Sequence, residues 1–133
     1  MKLFVDTSAW YALNDRDDQH REQALDKYHR IKEQRIELVT SNYIFDESLT
    51  LISSRIGHKP AVAFGEALLK SSFAELMTLT AEDCKAAFDL FKKYADKDLS
   101  FTDCTSFALM KRLKLKVAFT FDNHFQQVGY EVW

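Results

Sequence analysis

A chain of 133 residues, 47% hydrophobic and 14% aromatic, can form one domain whose core needs neither disulfides nor a structural metal. Its three Gly and one Pro leave little sequence for linkers, so a single domain over residues 1–133 is predicted. The formal net charge of -2 does not by itself indicate a nucleic-acid-binding or membrane-surface protein.

The cysteines and the length of the apolar runs indicate the cellular compartment of the protein. Cys84 and Cys104 match neither a disulfide framework nor a zinc-ligand spacing, so both are predicted to be buried thiols in a reducing compartment. No uninterrupted apolar run is longer than about five residues, which is too short for a signal peptide or a membrane span. We therefore expect a cytoplasmic protein that does not enter a membrane.

The predicted elements alternate between strands and helices along the chain. The first strand ends on Asp6, and further strands are predicted over residues 36–40, 73–79, 117–122 and 130–133. Helices are predicted over residues 9–13, 19–34, 43–56 and 61–71, from a cap at Thr80 to residue 94, and from a cap at Ser100 to residue 113. This alternation predicts an α/β fold, with a mostly parallel central sheet of about five strands covered by helices on both faces.

Local signals mark several helix ends. Ser8 is predicted to cap the first helix, and either Ser41 or Asn42 to cap the third. Gly57 is placed to end that third helix in a left-handed conformation. Pro60 is expected to start the helix that follows.

Two apolar strands each finish on an aspartate. Asp6 follows the first strand and Asp122 follows the strand near the other end of the chain. In α/β proteins the carboxyl edge of the sheet forms the ligand crevice, so both side chains are expected there. The helices that carry Glu47 and Asp103 begin at or near the same edge.

The helical acids are distinguished by the faces they occupy. Glu47 shares a face with apolar residues, whereas its neighbour Asp46 has polar neighbours and is predicted to face solvent. Asp103 shares a face with Phe107 and Met110. Carboxylates are rarely buried unless they are paired, and no Lys or Arg falls on either face.

Each acid alone also has a purely structural interpretation. Asp103 could be the third residue of a capping box, Asp6 and Asp122 could cap the element after each strand, and Glu47 could lie at the rim of its face. For any single acid this interpretation is favoured. Taken together, four acids directed to one edge indicate a site.

A cluster of four carboxylates requires a cation, because one pair at a separation of about 4 Å costs on the order of 4 kcal/mol at an effective dielectric of 20. Oxygen ligands without Cys or His favour magnesium or manganese. A metal ion so held can activate water and neutralise charge on a phosphodiester. The residues thus indicate metal-assisted phosphoryl hydrolysis.

Four segments in this order and spacing resemble a PIN domain, and are especially similar to the compact VapC-like ribonuclease toxins of prokaryotes. The resemblance covers essentially the whole chain, and its specificity lies in the combination, since an aspartate after an apolar strand is common. The segments are Phe4-Val5-Asp6-Thr7-Ser8, Tyr43-Ile44-Phe45-Asp46-Glu47, Leu99-Ser100-Phe101-Thr102-Asp103-Cys104 and Thr120-Phe121-Asp122-Asn123-His124-Phe125.

The resemblance implies a three-layer α/β/α sandwich and a magnesium- or manganese-dependent endoribonuclease. It further implies an RNA substrate, a homodimer, and neutralisation by a cognate antitoxin that inserts a segment near the active site. The metal-binding catalytic acids would be Asp6, Glu47, Asp103 and Asp122, with Ser8 and Asn42 as small polar residues beside them.

Other residues have competing interpretations. Lys111, Arg112, Lys114 and Lys116 could contact RNA phosphates, although cations near a helix end also complement its dipole. His124 is expected to pack or hydrogen-bond locally.

Two further functional classes remain open at the level of the residues. A phosphatase with Asp6 as nucleophile would need a second acid two residues later, where Ser8 stands. A PIN-like module that only binds RNA or protein would gain nothing from an unneutralised acidic cluster. The endoribonuclease is therefore the favoured hypothesis.

Overall fold

The computed structural model describes residues 1–70 and 72–133, which form one five-stranded sheet and seven helices. The strands are β1 (Lys2–Val5), β2 (Glu37–Ser41), β3 (Ala74–Met77), β4 (Val117–Phe119) and β5 (Glu131–Val132). The helices are α1 (Thr7–Asn14), α2 (Arg21–Glu33), α3 (Asn42–Arg55), α4 (His58–Lys70), α5 (Ala81–Lys93), α6 (Phe101–Leu113) and α7 (His124–Gln127).

The sheet has the order β3-β2-β1-β4-β5, and all four strand pairings are parallel. The chain moves outward from β1 to β3 and then returns to β4 on the other side of β1. Because connections between parallel strands are right-handed, α1 to α4 cover one face and α5 to α7 the other. The predicted α/β sandwich with a parallel sheet is confirmed.

The core lies on the two central strands. Phe4 and Phe119 are fully buried on β1 and β4. Phe125 of α7 is also fully buried, with its ring centroid 6.3 Å from that of Phe4 and 5.0 Å from that of Phe107 on α6. Helix α6 is buried from Cys104 to Met110. The carboxyl ends of β1 and β4 therefore rest on a closely packed layer.

Most predicted helix ends are confirmed. Both capping boxes are present: Thr80 caps α5 together with Asp83, and Ser100 caps α6 together with Asp103. Ser41 is the residue that caps α3, since its hydroxyl accepts a hydrogen bond from the Ile44 amide. Gly57 has a φ of 144°, a conformation that favours glycine, as the predicted helix end requires.

Two predicted helix starts are wrong. Helix α1 begins at Thr7, so Ser8 lies inside the helix rather than capping it. Helix α4 begins at His58, three residues earlier than predicted, and Pro60 occupies its first turn. Proline is tolerated there because amides of the first turn have no helical partner. The predicted last residue of this helix, Ser71, lies outside the described residues.

The short helix α7, which follows β4 directly, was not predicted. Its four residues, His124–Gln127, give too short a pattern for a periodicity to be recognised. Among the residues that the structure describes, no helix is long and apolar enough to cross a membrane.

Candidate active site

Two of the predicted acids follow the neighbouring strands β1 and β4. Asp6 is the first residue after β1, and its amide donates a hydrogen bond of 3.1 Å to the Phe119 carbonyl at the end of β4. Asp122 lies three residues beyond Phe119. The chain reverses its direction across the sheet between these two strands, the position where open α/β sheets form their ligand crevice.

Asp6 is held by two hydroxyl groups on one oxygen. Its Oδ2 atom accepts hydrogen bonds from Thr120 Oγ1 at 2.9 Å and from Ser8 Oγ at 3.0 Å. The residue is only 4% exposed, and burial raises its pKa to about 7. The Thr120 and Ser8 hydrogen bonds oppose this rise, whereas the negative charges of Asp103 and Asp122 add to it.

Ser8 connects the start of α1 to the end of β4. Its hydroxyl donates to Asp6, lies 3.1 Å from Thr120 Oγ1, and accepts a hydrogen bond of 2.9 Å from the Phe121 amide. The hydrogen bond from Ser8 to Asp6 is the kind of contact expected of a small polar residue beside the acids. Thr120, which sequence reasoning missed, binds the same carboxylate oxygen and accepts from the Asp122 amide at 2.9 Å.

Asp103 belongs both to a helix cap and to the acidic cluster. Its Oδ2 atom accepts from the Ser100 amide at 3.1 Å, and its own amide donates to Ser100 Oγ at 3.0 Å. The side chain is 12% exposed, and burial raises its pKa, with a further contribution from the charge of Asp122. The structural and functional interpretations of Asp103 are thus compatible.

His124 lies between the two aspartates. Its Nδ1 atom is 3.0 Å from Asp122 Oδ1 and 3.2 Å from Asp103 Oδ2. Ligand atoms of these three side chains all lie within 4.8 Å of one another, a grouping that could hold a metal ion. The predicted local hydrogen bond is present, since the His124 amide also donates to Asp122 at 2.9 Å, but the contact with Asp103 was not foreseen.

Glu47 approaches this group from α3. It is half-buried while Asp46 is exposed, as their helix faces predict. Burial raises the pKa of Glu47, and the negative charges of Asp103 and Asp122 raise it further. The nearby hydroxyl of Thr7 partly offsets this rise in pKa. Within the described part of the chain, that buried hydroxyl has no hydrogen-bond partner at full hydrogen-bond geometry.

Asn42, the first residue of α3, makes a contact with another element. Its side-chain Oδ1 atom accepts a hydrogen bond of 3.0 Å from the Leu79 amide, so it ties α3 to the segment after β3. No hydrogen bond joins Asn42 to the acids among the residues described. This hydrogen bond uses an acceptor of Asn42 for packing between elements, and the expected place of Asn42 beside the metal site stays a prediction.

Arg112 is engaged in an ion pair away from the acids. Its guanidinium donates to both carboxylate oxygens of Asp83, at 2.7 and 2.9 Å, and thereby joins α6 to α5. This arginine holds the pKa of Asp83 below its usual range. This ion pair gives Arg112 a structural role, and its contact with RNA phosphates stays a prediction.

The donor set fits a hard divalent cation. Carboxylates of Asp103 and Asp122 converge with His124, and Asp6 and Glu47 lie near enough for the aspartates' charges to raise their pKa values. Burial and the charges of neighbouring carboxylates favour protonation of Asp6, Glu47 and Asp103, and a cation would offset both effects. Carboxylate oxygens are the ligands that magnesium and manganese prefer.

Comparisons with known proteins agree with this geometry. The PIN domain family profile matches residues 3–130. The "23S rRNA-specific endonuclease VapC20" of two Mycobacterium tuberculosis strains is 33% identical over 129 residues, which cover 96% of this chain and 95% of that protein. A "VapC ribonuclease" of Archaeoglobus fulgidus is 26% identical over 137 residues, covering 100% of this chain and 86% of the relative.

A solved structure is similar along almost the full length. The crystal structure of Mycobacterium tuberculosis VapC20, described as a "Sarcin-Ricin loop cleaving toxin", superimposes with a TM-score of 0.87 and 31% sequence identity. The match covers 96% of this chain and 95% of that chain.

Proposed function

The chain belongs to the PIN domain family and is an RNA endonuclease of the VapC type, and from this premise we propose that it hydrolyses RNA with a divalent metal ion held by Asp6, Glu47, Asp103 and Asp122. The observation that carries the proposal is the convergence of Asp103, Asp122 and His124 within 4.8 Å, beside the buried carboxylate of Asp6. The proposed ion is magnesium or manganese.

When bound, such an ion supplies a nucleophilic water and neutralises negative charge on the phosphodiester. The protein's part is to orient the ligands. Thr120 and Ser8 hold one oxygen of Asp6 and leave its other oxygen without a described hydrogen bond. The capping box holds Asp103, and His124 links it to Asp122. These contacts keep the carboxylates aligned before substrate arrives, which lowers the cost of reorganisation.

The proposed partners follow from the relatives. RNA is the substrate, and the sarcin-ricin loop of 23S ribosomal RNA is the first target to test, since the VapC20 proteins are described as acting there. We further propose that a cognate antitoxin neutralises the protein and that it acts as a homodimer. A cytoplasmic location is proposed because the substrate resides there, and Cys84 and Cys104 are free thiols, as a reducing compartment requires.

Cleavage of RNA by the purified protein tests this function. Total ribosomal RNA is incubated with magnesium, with manganese or with EDTA, and fragment ends are mapped. We expect discrete metal-dependent fragments that decrease by at least about a hundredfold in Asp6→Asn and in Glu47→Gln, because each variant removes a charged metal ligand.

Asp46→Asn is the matched control, since this acid neighbours Glu47 but is exposed. Its activity should stay within about twofold of the wild type. Equal loss in Asp46→Asn and Glu47→Gln would contradict the assignment of Glu47. Absence of both cleavage and metal binding by calorimetry would overturn the metal-dependent mechanism.

A further inference from the structure

A cavity of about 520 Å³ lies beside the acidic cluster. Its lining residues include Asp122, which belongs to that cluster, and Ser8, which donates a hydrogen bond to Asp6, so the cavity adjoins the proposed metal site. Its volume falls in the range of pockets that enclose small ligands. Nothing in the proposed metal chemistry uses this space.

Two stacked rings form part of its wall. The imidazole of His20 and the ring of Phe121 lie parallel, with an interplanar angle of 3° and centroids 4.5 Å apart. Both residues line the cavity, and Phe121 directly precedes Asp122. Sequence reasoning did not connect them, because His20 precedes α2 and Phe121 follows β4. Flat aromatic surfaces of this kind stack nucleic-acid bases, with modest preferences among the bases that come from stacking strength.

Arg55 supplies positive charge on another side of the cavity. The residue is exposed at the end of α3, and its guanidinium lies 5.4 Å from the ring centroid of Tyr11. The Tyr11 hydroxyl in turn donates to Asp15 Oδ2 at 2.6 Å, which fixes the ring. No ion pair of Arg55 is found among the described residues, but its charge adds to the effect of the Tyr11 hydrogen bond in lowering the pKa of Asp15. An exposed guanidinium positioned over the Tyr11 ring suits a phosphate group.

Charges within the cavity define where a phosphate can lie. Asp122 and Asp18 are also lining residues, and Asp18 accepts a hydrogen bond from the His20 amide at 2.9 Å. Repulsion from these carboxylates disfavours a phosphate next to them, and Arg55 attracts it, although Asp15 at the Tyr11 hydroxyl partly offsets that attraction. A base has no charge and can occupy the space against the rings.

We propose that this cavity binds the nucleotide adjacent to the scissile phosphate of the RNA, with Arg55 contacting a flanking phosphate and the base packed against the His20–Phe121 pair. The inference rests on the proposed ribonuclease function and assigns a nucleotide-binding subsite to it. His20 and Arg55 are then residues that position the substrate and select the base beside the cut.

Binding of ribonucleoside 5′-monophosphates tests the subsite without catalysis. AMP, GMP, CMP and UMP are titrated in EDTA into isotope-labelled protein, and amide, histidine and arginine side-chain NMR signals are followed. We expect saturable shifts at His20, Phe121 and the Arg55 side chain, strongest for one or two of the bases. Shifts confined to other surfaces, or none at up to about 10 mM nucleotide, would overturn the inference, since single-nucleotide sites bind at about millimolar levels or tighter.

Steady-state cleavage by variants tests the same subsite during turnover. Arg55→Gln should raise KM for RNA by about tenfold, with kcat within about twofold, because a phosphate contact made equally in the ground and transition states is lost. His20→Ala should alter the base preference at the nucleotide next to the cut. Arg30→Gln is the matched control: Arg30 also lies over an aromatic ring, 5.9 Å from that of Trp133, but does not line the cavity.

The outcomes separate this inference from the proposed function. If the wild type cleaves RNA but the KM values of Arg55→Gln and Arg30→Gln are equal, the subsite is refuted. The proposed nuclease function is then still supported. If the wild type neither cleaves RNA nor binds metal but the nucleotides still shift His20 and Arg55, the cavity binds nucleotides and the catalytic proposal fails.

Discussion

Asp6 shows how strongly its surroundings act on a single carboxyl group. Burial is the largest cause of its raised pKa, and two hydroxyl donors do not compensate for it. The neutral acid is therefore favoured in the metal-free fold up to about pH 7. A metal ion must displace this proton, so its affinity for the site should increase with pH.

The raised pKa of Asp6 makes the free energy of unfolding depend on pH. Because the folded pKa of about 7 lies above the ordinary value of 3.8, the folded state binds more protons than the unfolded state between these pH values. The stabilisation from Asp6 is fully present below about pH 3.8 and is lost as pH rises to about 7. Its upper limit is about 4 kcal/mol, since one pKa unit corresponds to about 1.4 kcal/mol.

Urea unfolding in EDTA at pH 5 and pH 8 measures the effect. The wild type should lose stability over this interval by roughly 1–3 kcal/mol more than Asp6→Asn, because the variant cannot ionise at this position. Glu47 and Asp103 contribute with the same sign in both proteins, so the difference reports on Asp6 together with its electrostatic coupling to Asp103 and Asp122. An identical pH dependence in both proteins would show that Asp6 titrates normally.

At the scale of the element, the capping box of α6 couples helix formation to the site. Ser100 caps the helix through its hydroxyl, and the reciprocal hydrogen bond orients Asp103. The helix then continues through a buried stretch, so its start cannot shift without moving the core. Local helix chemistry thereby sets the position of a proposed metal ligand.

The N-terminal caps of α5 and α6, one a threonine and the other a serine, provide a matched comparison. Ser100→Ala and Thr80→Ala each remove the hydroxyl of a complete capping box and should each lower the free energy of unfolding by about 1 kcal/mol. Only Ser100→Ala should also weaken metal binding and cleavage, by up to about tenfold, because the Asp103 amide loses its hydroxyl acceptor and the Asp103 carboxylate is then held by the Ser100 backbone amide alone. Denaturation and metal titration together measure both effects, and equal activity in the two variants would contradict this coupling.

At the scale of the whole molecule, Phe125 joins the central strands to the last helices. Its ring is fully buried, stacks on Phe4 of β1 and meets Phe107 of α6 edge-on. It also directly follows His124, which contacts both site aspartates. Packing of this one ring therefore supports both the fold and the arrangement of the acids.

Phe125→Ala should destabilise the protein by about 3–5 kcal/mol, because it removes a buried aromatic ring and leaves a cavity. Phe88→Ala is the control, since Phe88 is 52% exposed and its loss should cost under about 1 kcal/mol in a monomeric sample. Guanidinium unfolding followed by circular dichroism measures both. A small loss in Phe125→Ala would show that the α7 contact contributes little to the core.

Local patterns in the sequence were sufficient for much of this description. The strand ending on Asp6, the two capping boxes, the glycine at the end of α3 and the opposite faces of Asp46 and Glu47 were all predicted correctly. Each of these depends on residues within about one or two helical turns, where backbone preference and periodicity act directly. The metal-ligand roles of the four acids stay predictions.

The sequence by itself thus determined the order of the elements other than α7, the parallel sheet and the edge at which the acids lie. Only the tertiary structure decided that Ser8 and Thr120 donate to one oxygen of Asp6, and that His124 contacts both Asp103 and Asp122. It also decided that Asn42 and Arg112 make contacts between elements. The stacking of His20 on Phe121 is likewise visible only in the structure. Most of these contacts join residues distant along the chain. Their partners are set by strand order and helix packing, which no local pattern contains.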